Sequence, residues 1–222
     1  MHPTPLTTIV AGTEFGLEGR LVGYLEHFLS EEEADAAFFE LEQAWTVAKQ
    51  DKGMFGTPAI RRTLQIGDNG IKPYKYSGSS AVEVAPWSSY PLLETLKKKL
   101  EQLLGVEVNL VLANFYESNS GVAWHPDQED SMESNSTIVS ISFGSTRRFS
   151  MRELPEEGKK WKRGDKYKQY KPMLGNGSLL TMEGRCQEVL EHCIPKMVIS
   201  QKDMDKYGGC RINLTYRKMV KK

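Results

Sequence analysis

Residues 211–217 read Arg-Ile-Asn-Leu-Thr-Tyr-Arg, an unbroken alternation that puts Arg211, Asn213, Thr215 and Arg217 on one side of a strand and Ile212, Leu214 and Tyr216 on the other. This limits what the chain can fold into. If the polar side is buried, two guanidinium groups need partners, because an unpaired interior charge is very costly. If it is not, that side is a solvated strand face with surface salt bridges. A second strand, at residues 110–116, places Leu112, Asn114 and Tyr116 on one face, so that an amide and a phenol can hydrogen-bond an organic acid. On its own that segment reads as an ordinary half-buried strand.

The neighbouring histidines favour the buried reading. His125 and Asp127 are two residues apart, so in extended backbone their side chains leave on the same face and converge. Pro126 between them fixes its own φ and pushes His125 toward extended angles. His192 is the remaining histidine of the C-terminal half and is by elimination the third member. Two imidazoles and one carboxylate with open positions match the facial ligand set of a non-haem iron(II) oxygenase. Zinc accepts the same donors, but three ligands with vacancies resemble a catalytic site, and the three cysteines lack the Cys-x-x-Cys spacing of a closed zinc cage. One partner for these arginines could be Asp127, and another a small dicarboxylate held through the planar guanidinium fork.

The rest of the chain predicts a mainly β protein with flanking helices. Ser30 and Glu33 form a capping box ahead of Phe38, Leu41 and Trp45, which predicts a helix over about residues 31–49. Residues 90–104 carry leucines clustered toward one face and predict a second. After Val108 the pattern changes to short strands and turns, so a β core backed by two helices is expected. With 222 residues, 39% hydrophobic and 26% charged, there is chain enough for one sizeable domain. No apolar run approaches the roughly 20 residues of a membrane span, and no signal-peptide core is present. The unpaired cysteines fit a reducing compartment. The chain is therefore expected inside the cell, in the nucleus if eukaryotic and otherwise in the cytoplasm, and as a monomer. The formal net charge of zero argues against a globally basic nucleic-acid binder. Locally, residues 159–171 (KKWKRGDKYKQYK) set seven bases and interleaved aromatics against one acid, a loop that is either solvated or able to engage phosphates and bases.

Several short segments then carry a resemblance. Residues 61–76 (RRTLQIGDNGIKPYKY), Ser77-Gly78, Pro86-Trp87, 109–116 (NLVLANFY), 124–129 (WHPDQE), 141–151 (ISFGSTRRFSM), 177–184 (GSLLTMEG) and 211–217 (RINLTYR) occur in one order across residues 55–217. In that order the chain resembles the AlkB family of iron(II)- and 2-oxoglutarate-dependent dioxygenases, nearest its eukaryotic DNA-repair members. The resemblance implies a double-stranded β-helix, or jelly roll, over about residues 106–218, a nucleotide-recognition lid over about 50–90, and an N-terminal segment, 1–20, that matches nothing and is expected to be partly ordered. It implies Fe(II), O2 and 2-oxoglutarate as cofactors. His125, Asp127 and His192 would be the metal ligands and catalytic centre, and Asn114, Tyr116, Arg211, Asn213 and Arg217 would hold 2-oxoglutarate, Arg211 at its far carboxylate. The implied reaction oxidises 2-oxoglutarate to succinate and carbon dioxide and hydroxylates an N-alkyl group, which leaves as formaldehyde. The implied partner is alkylated DNA or RNA, with 1-methyladenine and 3-methylcytosine as leading lesions.

A base buried in a duplex must be extruded to reach such a centre. Tyr76, with Ser77, matches the family's stacking aromatic, with His125 on the other face. Tyr74, Gln128 and Glu129 are candidates for the base edge and Arg61 for a further substrate contact. Gly53-Met54-Phe55-Gly56 has the form of an apolar wedge filling the gap left by a flipped base, or of a loop apex with Phe55 packed back. Two positions depart from the family. Gln128 stands where an acid is usual, and Cys193 replaces an arginine after the distal histidine. Another hydroxylase on the same scaffold, acting on RNA, protein or a small molecule, and a non-catalytic nucleic-acid-binding module are the rival readings.

Overall fold

Strands that alternate polar and apolar residues yet are buried on both faces need a layer on each side, and the computed structural model supplies both. It describes residues 6–44, 50–52, 58–74, 83–118, 120–155, 159, 161, 162 and 164–221, with backbone alone at 50–52 and 58–61. The first half comprises β1 (Thr7–Ala11), β2 (Arg20–Leu25), α1 (Glu31–Ala44), β3 (Gln50–Lys52), β4 (Pro58–Gly67), β5 (Val84–Pro86) and α2 (Pro91–Leu104). From there on strands dominate: β6 (Leu110–Tyr116), β7 (Val122–His125), β8 (Ile138–Gly144), β9 (Arg147–Arg148), β10 (Ser150–Glu153), β11 (Gln169–Tyr170), β12 (Met173–Leu174) and β13 (Ser178–Met182). The chain closes with α3 (Cys186–Val189), β14 (Leu190–Ile194), α4 (Gln201–Tyr207) and β15 (Arg211–Arg217).

The large sheet has nine strands in the order β1-β2-β13-β8-β15-β6-β4-β3, with β5 added in parallel to β4. A smaller sheet runs β11-β10-β14-β7, and β12 pairs with β9. Part of the N-terminal segment therefore belongs to the large sheet through β1. The segment expected to form the lid contributes β4, which pairs with β6 at seven consecutive positions.

Two apolar clusters explain the layering. One lies between the large sheet and the helices, joining Phe38, Leu41, Leu93, Leu96 and Leu100 to Val111, Ala113, Phe115, Ile141, Phe143, Ile212, Leu214 and Tyr216. The other lies between the sheets, where Leu21, Val22, Leu180 and Met182 meet Met151, Leu190 and Ile194. The opposite face of the central strands is polar and also buried: Asn114, Ser140, Ser142, Arg211, Asn213, Thr215 and Arg217 all fall there. The even-odd pattern read from 211–217 is thus realised as helix-facing and sheet-facing sides of one strand.

The capping box forms as read, with the Ser30 N–H donating to Glu33 Oε2 at 2.8 Å and the Glu33 N–H to Ser30 Oγ at 3.2 Å. The helix it starts is described to Ala44, and residues 45–49 of the expected span lie outside the described residues. The second helix ends at Leu104, where Gly105 takes a left-handed φ of 66° and donates to Glu101 O. Among the described residues no helix is long and apolar enough to cross a membrane.

Candidate metal centre and co-substrate pocket

His125 ends β7 and His192 lies mid-strand in β14, and the two are direct register partners across the small sheet. Their rings are 4.4 Å apart, and Phe149 lies against the His192 ring at 5.0 Å and a 29° tilt. Asp127 follows two residues after His125. Its backbone N–H donates to Gln187 Oε1 at 2.8 Å, which fixes the loop leaving β7. One donor atom from each of His125, Asp127 and His192 lies within 4.8 Å of the others, the one such group of acids, histidines and cysteines among the described residues. With ligand bonds of about 2.1 Å, neighbouring ligands on one ion sit about 3 Å apart, so small side-chain rotations close this set around a metal.

The protonation states suit a cation. His125 Nδ1 donates to the Ala123 carbonyl at 2.8 Å, which turns Nε2 inward, 3.7 Å from Asp127 Oδ1. Burial holds His192 down to about 3, so its ring is neutral. Burial alone would raise the Asp127 carboxyl, but Arg217 and the two histidines overcome it and hold it well below the usual carboxylate range. Arg217 Nη2 donates to Asp127 Oδ2 at 2.7 Å, leaving Oδ1 toward His125. The pairing foreseen between an arginine of 211–217 and Asp127 is this one, and it joins the two sheets.

Beyond the triad lies the polar face of the large sheet. Arg211 and Tyr116 are register partners, as are Asn213 and Asn114. Arg211 Nη2 donates to Ser142 Oγ at 2.9 Å, while its Nε and Nη1 have no partner among the described residues, although the side chain is only 1% exposed. Burial draws its pKa down to about 10. Asn213 Nδ2 donates to Ser140 Oγ at 2.7 Å and to the Ile141 carbonyl at 3.0 Å, and its Oδ1 accepts from Thr215. Asn114 Oδ1 and Arg217 Nε are likewise buried without a partner. Buried polar groups are rarely left this way, and a ligand bearing carboxylates is the chemistry that would satisfy these guanidinium N–H groups.

Tyr74, one of the candidates for base contact, reaches the metal cluster directly. The Gln65 side chain grips its backbone twice, at 2.7 Å each, accepting from the Tyr74 N–H and donating to its carbonyl. The phenol then reaches Glu129 Oε2 at 2.6 Å and Asp127 Oδ1 at 3.1 Å, with the Arg217 guanidinium 4.2 Å over its ring. A phenol has one proton, which goes to the nearer Glu129 when that group is ionised. Burial, opposed by the Tyr74 hydrogen bond, raises the Glu129 pKa, and once protonated Glu129 donates to the phenol and frees its proton for Asp127. Gln128 is exposed, and it lines with Asp127, Glu129, Asp130 and Glu133 a cleft of about 370 Å³.

Of the remaining candidates, Phe55, Tyr76 and Ser77 lie outside the described residues, and Arg61 is described in its backbone only, paired with Tyr116. The lysine-rich loop is a turn-back between β10 and β11. Part of it packs: the Tyr170 hydroxyl donates to Glu14 Oε2 at 2.6 Å, Trp161 donates to the Glu153 carbonyl, and Tyr167 lies 4.8 Å from Trp161. Arg152 bridges this loop to the metal strand, 4.1 Å from the Trp124 ring and 5.2 Å from that of Tyr167, with its Nε bonded to Glu191. Ser140, Ser142, Gln65, Arg147 and Gln187 escaped the sequence reading. The serines could have been found, since they alternate with Val139, Ile141 and Phe143.

The model of the 2OG-Fe(II) oxygenase superfamily matches residues 22–217. The chain belongs to that superfamily. Alpha-ketoglutarate-dependent dioxygenase alkB homolog 3 of Rattus norvegicus is 37% identical over 151 residues, which cover 67% of this chain and 47% of the relative. DNA oxidative demethylase ALKBH2 of Mus musculus is 31% identical over 196 residues, covering 85% and 76%. The chain thus spans about half the length of the alkB homolog 3 relatives from rodents and Homo sapiens. The solved structure of OsALKBH1 superposes with a TM-score of 0.58 at 16% identity, covering 89% of this chain and 96% of that one, a likeness of fold. The AlkB resemblance and the jelly-roll architecture are therefore both met. The cofactors are those of the superfamily, Fe(II), 2-oxoglutarate and O2, and the buried unpaired guanidinium groups fit them.

Proposed function

We propose that this protein is an Fe(II)- and 2-oxoglutarate-dependent dioxygenase that removes N-alkyl groups from nucleobases, 1-methyladenine and 3-methylcytosine foremost, in DNA. The observation that carries the reading is the joining of two half-sites by one ion pair: the His125, Asp127 and His192 cluster on the small sheet, and the partly unpaired Arg211 on the large one, linked by Asp127–Arg217. Relatives named DNA oxidative demethylase, matched over 85% of this chain, support the substrate class. So does the carboxylate-lined cleft beside Asp127, because these alkylated bases are cationic, and buried or half-buried acids attract them.

In this reading His125, Asp127 and His192 would hold the iron, and Asn114, Tyr116, Arg211, Asn213 and Arg217 would hold 2-oxoglutarate, with Arg211 and Tyr116 at its far carboxylate. The bound iron and keto acid supply the oxidising power that turns an N-methyl group into a hydroxymethyl group. The protein's own residues do the placing. Arg217 keeps Asp127 ionised and turned toward the metal. Tyr74 and Glu129 offer a phenol and a carboxyl to the edge of an extruded base, and Gln65 holds Tyr74 in position for it. Wedge and stacking roles for Phe55, Tyr76 and Ser77, and contacts by Arg61 and Gln128, complete the reading. An enzyme of nuclear or cytoplasmic nucleic acid, acting as a monomer, fits it.

The test is turnover on matched single- and double-stranded DNA and RNA oligonucleotides carrying one lesion, with succinate and demethylated base both measured. Succinate that requires Fe(II) and 2-oxoglutarate, together with base restoration, is expected. Asp127→Ala should abolish both, whereas Tyr74→Phe should lower base restoration more than uncoupled succinate formation. Turnover of peptides alone would remove the nucleic-acid reading, and no succinate with any substrate would remove the catalytic one.

A further inference from the structure

Arg147, the first residue of β9, is among the largest side chains with no exposure at all, and the site described above does not use it. Its Nη2 donates to the carbonyls of Glu117 at 2.8 Å, Ser118 at 2.9 Å and Gly209 at 3.4 Å. The first two carbonyls directly follow Tyr116, the last residue of β6. The third lies two residues before Arg211, the first residue of β15, and Arg211 and Tyr116 face each other in register. One guanidinium therefore ties together the two strand ends that carry the far-carboxylate contacts.

Holding those carbonyls occupies a single nitrogen. Nε and Nη1 of Arg147 have no hydrogen-bond partner, and no acid forms an ion pair with it among the described residues. Arg211 likewise has no acid paired to it among the described residues, its neighbours being the Ser142 hydroxyl and the Tyr116 phenol. Two buried cations with no acid paired to them among the described residues are costly, and a carboxylate placed beside them would offset that cost. Burial lowers both guanidinium groups from their ordinary value, and Arg147 adds to the lowering at Arg211, so the two charges feel each other.

We propose that Arg147 is a positioning residue of the co-substrate pocket: it clamps the Tyr116–Arg211 pair from behind and supplies a second positive charge, which favours a keto acid with a distant second carboxylate over one without. A role limited to holding the loop would need donors but no charge, and a neutral amide would serve. The inference rests on the placement of the far carboxylate at Arg211 and Tyr116.

The experiment is calorimetric titration of the Mn(II)-loaded protein with 2-oxoglutarate and with 2-oxobutyrate, which lacks the second carboxylate. Arg147→Gln is expected to weaken 2-oxoglutarate about tenfold or more while changing 2-oxobutyrate less than about twofold, and Arg147→Lys to stay within about threefold of wild type for both. Unchanged 2-oxoglutarate binding in Arg147→Gln, or equal losses for the two acids, overturns the proposal. Should Arg147→Gln not fold, Arg147→Lys decides, because an equal loss of about tenfold for both acids would reduce the residue to a loop brace. Arg211→Gln titrated in parallel separates the two levels. If it also leaves 2-oxoglutarate unaffected, the placement of the far carboxylate is what fails.

Discussion

Arg217→Leu tests the bond that joins the two half-sites. Arg217 is 3% exposed and Asp127 5%, and their ion pair is 2.7 Å long. With charge centres about 4 Å apart at an effective dielectric near 20, the attraction is about 4 kcal/mol, and removing one member of such a buried pair costs about 3–5 kcal/mol because the other charge is left uncompensated. For 222 residues that corresponds to a fall in Tm of about 6–11 °C. The loss is expected in full only without metal. A divalent cation on Asp127 replaces the guanidinium as counter-charge, so in Mn(II) the variant should recover a large part of the difference while remaining inactive. Scanning calorimetry of both proteins in chelator and in Mn(II) measures this directly. A metal-free loss below about 1 kcal/mol would show that Arg217 does not hold the Asp127 charge. An equal loss with and without metal would show that Asp127 is not a ligand.

Two further perturbations probe parts of the fold that position the site. Gly144, opposite Arg211 in register, has φ of 79°, and a Cβ there would meet Phe38 Cε2 at 2.5 Å and the Cys210 carbonyl at 2.7 Å, so Gly144→Ala should cost about 2–4 kcal/mol from left-handed strain plus overpacking; urea midpoints within error of wild type would refute it. Burial would raise Asp35, but Lys206 Nζ at 2.5 Å and the Tyr207 hydroxyl at 2.6 Å bring its pKa below the ordinary value. A depressed carboxylate contributes stability above its unfolded pKa of about 3.9 and loses it as pH falls through the lower folded value, so wild type should lose more than Asp35→Asn from about pH 5 to 3, by about 1 kcal/mol or less for a partly exposed pair, and parallel curves would refute the assignment.

What was legible in the sequence was which residues share a face. Alternation at 211–217 separated Arg211, Asn213, Thr215 and Arg217 from the core residues between them, and the structure puts Ile212, Leu214 and Tyr216 against the helices. The same rule brings His125 and Asp127 to one site. Alternation says nothing about which strand lies alongside, because register is set by side chains far away in sequence. The pairing of His192 with His125, and of Arg217 with an aspartate 90 residues earlier, could be named as candidates but not placed. Arg147 is more instructive. Residues 147, 149 and 151 share a parity, and Phe149 and Met151 are buried, so the arginine had to point inward with them. In the sequence alone Arg147-Arg148 has the form of a charged pair near a turn, where solvation is the ordinary expectation.

The two sheets divide the chemistry between them. Every metal-directed donor is on or just beyond the small sheet, while Arg211, Asn213 and Arg217 are on the large one, as are Asn114 and Tyr116. Neither sheet is a site by itself. The apolar cluster between them, from Leu21 and Val22 across to Leu190 and Ile194, sets their separation, and Asp127–Arg217 spans it within hydrogen-bonding distance. Tyr74 extends the same chain of contacts to Glu129 at the cleft. A cavity in that cluster should therefore perturb the geometry of Asp127 and, in the proposed reading, the position of Tyr74 at once. Packing in the inter-sheet layer is part of the active-site geometry for this reason, whereas the helix-facing layer of Phe38, Leu93 and Leu100 supports the large sheet from the far side and reaches the site only through it.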